Sequence, residues 1–398
     1  MAERPDLLIA AQSGRALAAA ARRAGFAPLV LDLFGDDDTR SLSRGRYQVV
    51  GDLERGFDAE ALLAGAAALA PTDAEPPVPL VAGSGFEDRL ELLGRLSQGR
   101  VLLGNPPAVQ ARIKDPASFA ALCAERGVAH PETRIEPSPE AAGWPGDWLV
   151  KQRGASGGAH VRTAGAAEQA APGRYFQRRI AGRSLSALFL ADGGRARIVG
   201  FSALRTAGHS GAPPYLFGGA VGPIRLRPDV FARLRLWLDD LVADSGLRGL
   251  NSADLIVSDR QPWLIEINPR PGATLELFDR RKGPSLLAAH IEASRGRLPS
   301  WRLETPGVRA MKVLYAEAPV SVPADLAWPD WSADRTPGGR LVPSGAPLCT
   351  LFATGANLDE AEAMLAQRSA VLSSALASQG LPEGRAGGLP NAAEPGFA

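Results

Sequence analysis

Two acidic side chains and an asparagine recur at short spacing in a stretch with the composition of a β-hairpin. Asp254 opens one apolar run, and Glu266 and Asn268 close the next, with a polar, turn-like stretch between the two runs. If the turn centres on Arg260, antiparallel pairing places Asp254 opposite Glu266, and the two-residue period of a strand puts Asn268 on the same face. Ile265 is then expected on the opposite face.

This arrangement predicts a divalent metal site. Two carboxylates held at about 4–6 Å repel each other by a few kcal/mol at an effective dielectric near 20, so a cation is expected between them. Two carboxylates and an amide oxygen suit Mg²⁺, which takes its other ligands from water and substrate phosphates. Arg270 follows two residues after Asn268 and can grip a phosphate or carboxylate bidentately. The alternative interpretation is a surface hairpin whose acids are simply solvated.

A second candidate element is a glycine-rich loop between two predicted strands. Lys151 ends the first strand and precedes the loop, whereas a Walker A lysine follows the glycines and opens a helix. Small residues let backbone N–H groups approach phosphates, and the lysine at the base of the loop can contact them. The alternative is an ordinary mobile turn. The loop residues predicted to bind phosphate are Gly154, Ser156, Gly157 and Gly158.

Lysine usage supports the same region. Of 44 basic residues only four are lysines, so a lysine here indicates a need for a compact ammonium more strongly than usual. Lys151 is one of them, and Lys114, which precedes a predicted helix with a capping Asp115, is another. Both are predicted to neutralise phosphates. Lys282 and Lys312 are interpreted as surface or packing residues.

Bulk properties exclude several classes of protein. The formal net charge is +1 over 398 residues with both signs mixed along the chain, so nucleic acid and anionic membranes are not expected partners. No apolar run approaches the ~20 residues of a membrane helix and no signal peptide precedes the first strand, which predicts a cytoplasmic protein. Cys123 and Cys349 are isolated in apolar surroundings and are expected to be inert.

The chain as a whole predicts several domains. Residues 6–104 alternate strands and helices as in a Rossmann-like α/β domain, but the first turn has one glycine, Gly14, where a dinucleotide fingerprint needs three. The segment 306–375 is rich in strands and closes with a helix, which predicts a small α+β cap. The domains expected are 1–108 (α/β), 109–300 with subdomains 109–172 and 173–300, 301–380 (cap), and a disordered tail at 381–398.

In this order, these features resemble the ATP-grasp superfamily over roughly residues 1–300. The resemblance implies an ATP-grasp fold, with an N-terminal pre-ATP-grasp α/β domain and the C-terminal cap. It implies ATP and Mg²⁺ as cofactors, with Mn²⁺ able to replace Mg²⁺, and it makes Asp254, Glu266 and Asn268 the metal ligands. Adenine is expected against a hinge strand. The hinge residues are Gln177, Arg178, Arg179 and Ile180. No acid follows the hinge where many members hold the ribose, so that partner stays unassigned.

The chemistry implied by the resemblance is ligation of a small-molecule carboxylate to an amine through an acylphosphate. Lys151 would act on the phosphates, and Arg270 and Arg205 would hold the acyl substrate. Within the superfamily, the stretch 264–272 is similar to the tyramine–glutamate ligase branch of methanofuran-type coenzyme synthesis, and a homodimer is compatible with this resemblance. The alternatives are a carboxylase or phosphotransferase of the biotin-carboxylase type, and a nucleotide-binding regulatory module without turnover.

Overall fold

The computed structural model describes residues 4–135, 147–165, 171–209, 211–280, 283–301 and 307–378. The predicted disordered tail at 381–398 and the interpretation of Lys282 fall outside the described residues.

The N-terminal part is a parallel sheet covered by helices, as expected for a Rossmann-like domain. Its strands are short apolar runs buried on both faces, which is typical of parallel sheets. The strand order is β3-β2-β1-β6-β7. The elements are β1 (Asp6–Ala10), α1 (Arg15–Arg23), β2 (Ala27–Asp32), α2 (Asp37–Leu42), β3 (Tyr47–Val49), β4 (Gly51–Asp52), β5 (Gly56–Phe57), α3 (Ala59–Leu69), β6 (Leu80–Ala82), α4 (Leu90–Ser97) and β7 (Leu102–Leu103).

The turn after β1 resembles a dinucleotide site only superficially. Its Gly14 N–H donates to the Asp32 carboxylate at the end of β2 (3.1 Å), and that carboxylate also accepts from the Tyr47 hydroxyl. The next residue, Arg15, is buried and pairs with Glu276 and Asp334 from later parts of the chain. The polar groups of this turn therefore hold domains together.

A small antiparallel sheet follows, in the order β10-β9-β11-β8. Helix α6 begins as expected, with Pro116 in its first turn and the Asp115 carboxylate accepting from the Ser118 N–H (2.8 Å). Helix α5 was not anticipated, and the boundary expected at 108 falls inside it. The elements are α5 (Pro107–Lys114), α6 (Pro116–Glu125), β8 (Thr133–Arg134), β9 (Trp148–Gln152), β10 (Arg162–Thr163) and β11 (Arg174–Arg178). Since β11 pairs with both β8 and β9, this sheet extends beyond the subdomain boundary expected at 172/173.

The largest element is an eight-stranded sheet in the order β16-β15-β12-β13-β14-β17-β21-β19. Its members are β12 (Arg183–Asp192), β13 (Ala196–Thr206), β14 (Phe217–Gly222), β15 (Arg248–Ser258), β16 (Gln261–Asn268), β17 (Val308–Tyr315), β19 (Ser332–Ala333) and β21 (Pro347–Gly355), with β18 (Val320–Ser321) and β20 (Leu341–Val342) forming a separate pair. The helices are α7 (Pro228–Ser245), α8 (Leu275–Phe278), α9 (Leu286–Ser294) and α10 (Leu358–Ser378). The predicted C-terminal cap therefore continues this sheet through β17 and β21.

The two faces of this sheet are covered differently. On one face, side chains such as Ala187 and Ala253 pack with α7 and α10. On the other face, Leu188 and Leu250 pack with α9 and the N-terminal domain. Ser186 pairs with Asp254 across β12 and β15. Each is next to an alanine that faces α7 and α10, so strand alternation places both on the face that the N-terminal domain covers. The candidate site is thus on the face that the N-terminal domain covers.

The β15–β16 hairpin pairs Asp254 with Glu266, as predicted, but the turn and the register of the two strands differ from the prediction. The turn is tighter than expected, because Ser258 pairs with Gln261, and a bulge between Asp254 and Leu255 adds the missing residue. The expected orientation of Ile265 is wrong. It is the extra residue of the bulge and lines the same cavity as Glu266.

Candidate active site

The predicted metal ligands converge on the ammonium of Lys114. Lys114 ends α5, and its Nζ lies 3.2 Å from Glu266 Oε2 and 3.2 Å from Asn268 Oδ1. Asn268 also donates from Nδ2 to Asp254 Oδ2 (3.2 Å), so the amide bridges the lysine and the second acid. The Lys114 ammonium thus neutralises one of the two carboxylates, Glu266, and is linked to Asp254 only through the Asn268 amide.

The electrostatics of the pair are asymmetric. Burial raises the pKa of Asp254, and the neighbouring Glu266 carboxylate raises it further. Burial also opposes ionisation of Glu266, but Lys114 and Lys151 outweigh it and lower the pKa of Glu266. The Ser186 hydroxyl, for which the sequence offers no signal, donates to Asp254 Oδ1 (2.9 Å), and this hydrogen bond opposes the rise in the pKa of Asp254.

The donor set fits a hard divalent ion. Two carboxylates and an amide can supply only oxygen ligands, which is the donor type that Mg²⁺ prefers. Among the described residues, no group of three or more His, Cys, Asp or Glu side chains could hold a metal. The predicted set would therefore need waters or substrate phosphates to complete its shell, which is typical of Mg²⁺.

Lys151 approaches the same place from the small antiparallel sheet. Its side chain is buried, donates to Gln177 Oε1 (3.1 Å) and lies 5.9 Å from the centre of the Tyr175 ring. Burial lowers the pKa of Lys151, and the charge of Glu266 opposes that shift. The pairing of β9 with β11 thus brings Lys151 and the predicted hinge residue Gln177 together.

A cavity lies between these groups. Its lining comes from α5 and α6, the loop after β9, β11 and the bulge of β16, and includes Lys114, Gly154, His160, Gln177 and Glu266. The other predicted hinge residues, Arg178, Arg179 and Ile180, line a neighbouring pocket with Glu132 and Trp263. The structure therefore divides the expected hinge between two adjoining pockets.

The glycine-rich loop is fixed from two sides. A Cβ added to Gly154 would lie 2.7 Å from Asp88 Cα, in the N-terminal domain, and the φ of Gly154 is +70°. A Cβ on Gly158 would lie 1.9 Å from the Tyr215 carbonyl oxygen. The Gly157 carbonyl accepts from the Phe217 N–H (2.8 Å). Glycine at 154 and 158 is therefore required by close backbone packing, which also holds the loop over the cavity.

Arg270 lies beside the metal set and is held by an unforeseen partner. Its Nε donates to Glu87 Oε1 (2.9 Å), and both side chains are buried, with 12% and 3% exposed. Glu87 Oε2 accepts from the Gly85 N–H (2.7 Å). Burial opposes ionisation of Glu87, but Arg270 and Lys114 lower its pKa. The N-terminal domain thus contributes directly to the site.

The prediction that Arg205 holds the acyl substrate does not agree with the structure. Arg205 lies two residues after Ala203 on β13, so the two side chains point to the same face of the sheet. The side chain of Ala203 packs on the face covered by α7 and α10. Its guanidinium pairs with Glu362 of α10 (2.6 Å) at an exposed position. The sheet therefore separates Arg205 from Asp254, which lies on the opposite face.

Comparison with known proteins identifies the fold. Residues 117–274 match the family of ATP-grasp domains. Over 232 residues the chain is 27% identical to the carbamoyl phosphate synthase large chain of Deinococcus deserti, covering 52% of this chain and 22% of that protein. The chain therefore spans about a fifth of the length of this relative.

Solved structures agree over nearly the whole chain. The L-amino acid ligase of Bacillus licheniformis superposes with a TM-score of 0.67 at 14% identity, covering 92% of this chain and 97% of the ligase. The biotin carboxylase domain of the Hydrogenobacter thermophilus 2-oxoglutarate carboxylase, in complex with MgADP and bicarbonate, superposes with a TM-score of 0.69 at 12% identity, covering 96% and 91%.

The chain has the ATP-grasp fold, which confirms the fold class predicted from the sequence. The biotin carboxylase domain that shares this fold holds MgADP. ATP and Mg²⁺ stay the predicted cofactors of this chain. No helix in the described part of the chain combines the length and apolar character needed to span a bilayer.

Proposed function

We propose that this protein is an ATP-dependent ligase that joins a small-molecule carboxylate to an amine. The observation that carries the proposal is the convergence of Lys114 on Glu266 and Asn268, with Asp254 opposite and Lys151 adjacent. Lys114 and Glu266 line the cavity, and Lys151 and Asp254 act electrostatically on Glu266 from beside it. Two ammonium groups and two carboxylates placed in this way suit a nucleotide polyphosphate and its metal ion.

In the proposed reaction a carboxylate oxygen of the acid attacks the γ-phosphorus of ATP and ADP leaves. The amine nitrogen then attacks the acyl carbon, phosphate leaves, and a proton is lost from the nitrogen as the C–N bond forms. Asp254, Glu266 and Asn268 would hold Mg²⁺, which would neutralise phosphate charge. Lys114 and Lys151 stabilise the negative charge that shifts during phosphoryl transfer.

Arg270 is proposed to hold the acyl substrate. Glu87 accepts a hydrogen bond from Nε and so orients the guanidinium, and within the described residues no hydrogen bond from either Nη atom is seen, so both could bind an anionic oxygen. Because the pair is buried, the guanidinium of Arg270 is already oriented before the substrate binds. Arg205 has no part in this proposal, since it lies on the other face of the sheet.

We further propose that one substrate is an amino acid, glutamate in particular, as in the tyramine–glutamate ligase branch. The similarity to an L-amino acid ligase over most of both chains supports an acid–amine pair. The similarity to a biotin carboxylase domain supports the alternative, in which bicarbonate is the acceptor of the phosphoryl group.

The test is a screen of ADP release with Mg²⁺ and ATP over pairs of amino acids and amines. The ligase proposal expects ADP release that requires both members of a pair, with an amide product detected by mass spectrometry. ADP release that requires bicarbonate and no amine would favour the carboxylase alternative. MgATP binding without turnover on any pair would favour a regulatory module.

Glu266→Gln is the variant that should be inactive in the screen. The variant keeps the shape of the side chain but removes a charge that both lysines face. We expect loss of turnover with the fold retained, as judged by circular dichroism. An active variant would remove Glu266 from the proposed site.

A further inference from the structure

A buried asparagine lies where the N-terminal domain joins the rest of the chain. Asn105 follows β7 and immediately precedes the N-cap residue of α5, the helix that ends at Lys114. Sequence patterns mark this place only as the end of the alternation of strands and helices. Asn105 is 3% exposed, so the polar atoms of its side chain need partners within the protein.

The side chain of Asn105 has these partners in two segments of the chain. Its Oδ1 accepts a hydrogen bond from the Arg248 N–H (2.7 Å), at the start of β15. Its Nδ2 lies within hydrogen-bond distance of Asn251 Oδ1 (2.8 Å), Pro269 O (2.9 Å) and Arg248 O (3.1 Å). An amide nitrogen carries two hydrogens, which the two shorter contacts can take. Asn105 therefore joins the start of β15 to the residue that follows β16.

The contact with Pro269 is the one that bears on the proposed site. Pro269 is buried and lies between Asn268, a proposed metal ligand, and Arg270, the proposed partner of the acyl substrate. Proline has no N–H, so its carbonyl is the only backbone group of this residue that can form a hydrogen bond. Within the described residues, Asn105 is the only donor to that carbonyl. The backbone between the two functional side chains is therefore held by Asn105.

The main chain of Asn105 contacts the helix on the other side of the site. Gln110 of α5 is buried and donates from Nε2 to the Asn105 carbonyl oxygen (2.9 Å). Helix α5 ends at Lys114, whose ammonium contacts Glu266 and Asn268. The same asparagine thus contacts the helix that carries the lysine and the segment that follows the proposed metal ligands.

We propose that Asn105 is a positioning residue that sets the place of the Lys114 helix relative to the segment carrying Asn268 and Arg270. The proposal rests on the function proposed above. Asn105 is not among the described residues that line the cavity, so it acts through these neighbours. A small misplacement of reacting groups slows the chemical step strongly, so loss of Asn105 should lower kcat more than it changes KM for ATP.

His290 provides the matched control. It is buried at the same junction, where its Nδ1 accepts from the Leu250 N–H (2.8 Å) and its Nε2 donates to Leu103 O (3.1 Å). His290 and Asn105 thus both join the end of β7 to the start of β15. In the described part of the chain, however, His290 makes no hydrogen bond to residues 268–270. His290→Ala and Asn105→Ala should both lower stability, and only the second should affect the site.

The experiment compares the full-length wild type with Asn105→Ala, Asn105→Ser and His290→Ala. Serine is one heavy atom shorter than asparagine, so it loses the contact with Pro269 O but leaves less empty space than alanine. The first measurement is hydrogen–deuterium exchange at the Arg270 amide, whose N–H donates to Asn268 O (2.9 Å). The second is kcat and KM for ATP with the acid–amine pair found in the screen.

We expect the Arg270 amide to exchange about tenfold faster in both Asn105 variants and at the wild-type rate in His290→Ala. We also expect kcat to fall by about tenfold or more in the Asn105 variants, with KM for ATP changed by less than about threefold. His290→Ala should keep the wild-type kcat in its folded fraction.

Wild-type exchange at Arg270 in the Asn105 variants would overturn the proposal. Equal effects of His290→Ala on exchange or on kcat would overturn it as well, because a general loosening of the junction would then explain them. Exchange needs no substrate, so it tests the position of this segment even if the wild type shows no turnover. Absence of turnover in the wild type would instead contradict the proposed function.

Discussion

The ion pair between Glu87 and Arg270 yields the sharpest structural prediction. Glu87 is in the N-terminal domain and Arg270 follows the metal hairpin, and their side chains are almost fully withdrawn from water. Removing one partner of such a pair leaves a buried charge uncompensated, at a cost of about 3–5 kcal/mol. Glu87→Gln keeps a neutral acceptor for Arg270 Nε, so we expect it to lower stability by less, about 2–3 kcal/mol.

A matched control exists in the same chain. Glu362 pairs with Arg205 through similar atoms, but the two side chains are 39% and 51% exposed. Exposed ion pairs contribute about 0–1 kcal/mol, so Glu362→Gln should change stability little. Both variants replace by glutamine a glutamate that is paired with an arginine. The difference between their stabilities therefore reports the effect of burial on the ion pair.

The assay is urea unfolding followed by tryptophan fluorescence, with turnover measured on the same preparations. Glu87→Gln should shift the unfolding midpoint clearly downward and reduce turnover, since Arg270 loses its orientation. Glu362→Gln should resemble the wild type in both measurements. If the two variants unfolded at the same urea concentration, the inference that the buried pair joins the domains would be refuted.

Two further predictions concern pH and the sheet face. Burial, assisted by Asp334, raises the pKa of Asp36 to about 7, above its value in the unfolded chain. The folded protein thus holds a proton that the unfolded chain releases, and this contribution to stability is lost as pH rises through about 7. Asp36→Asn should therefore gain melting temperature relative to the wild type between pH 5 and pH 8, and an unchanged difference would refute this. Arg205→Ala should bind MgATP as the wild type does, and a large loss of affinity would place Arg205 in the site after all.

The hairpin shows what strand patterns predict and what they miss. Residue types and spacing led to Asp254 opposite Glu266, although the inferred turn was one residue too long. The bulge beside Leu255 compensates for the shorter turn. Because no glycine or proline marks the position of the bulge in β16, strand alternation alone predicts the wrong face for Ile265.

Other misses arise from contacts between distant parts of the chain. Glu87 joins Arg270 across 183 positions, and no local pattern connects them. The place of Arg205 in a Gly-rich segment suggests a role with the acyl substrate, whereas its spacing of two residues from Ala203 on β13 indicates the face of the sheet opposite to Asp254. The sequence predicts that Gly158 contacts phosphate, and the structure adds that a side chain at this position would clash with the Tyr215 carbonyl oxygen.

The central claim is that the Asp254–Glu266 hairpin and the two lysines form one nucleotide and metal site. Its most direct test is a crystal structure of the protein with ADP and Mn²⁺, in which anomalous scattering locates the metal. We predict a manganese peak coordinated by Asp254, Glu266 and Asn268, with the diphosphate beside Lys114 and Lys151. A peak elsewhere, or ADP bound away from these lysines, would contradict it.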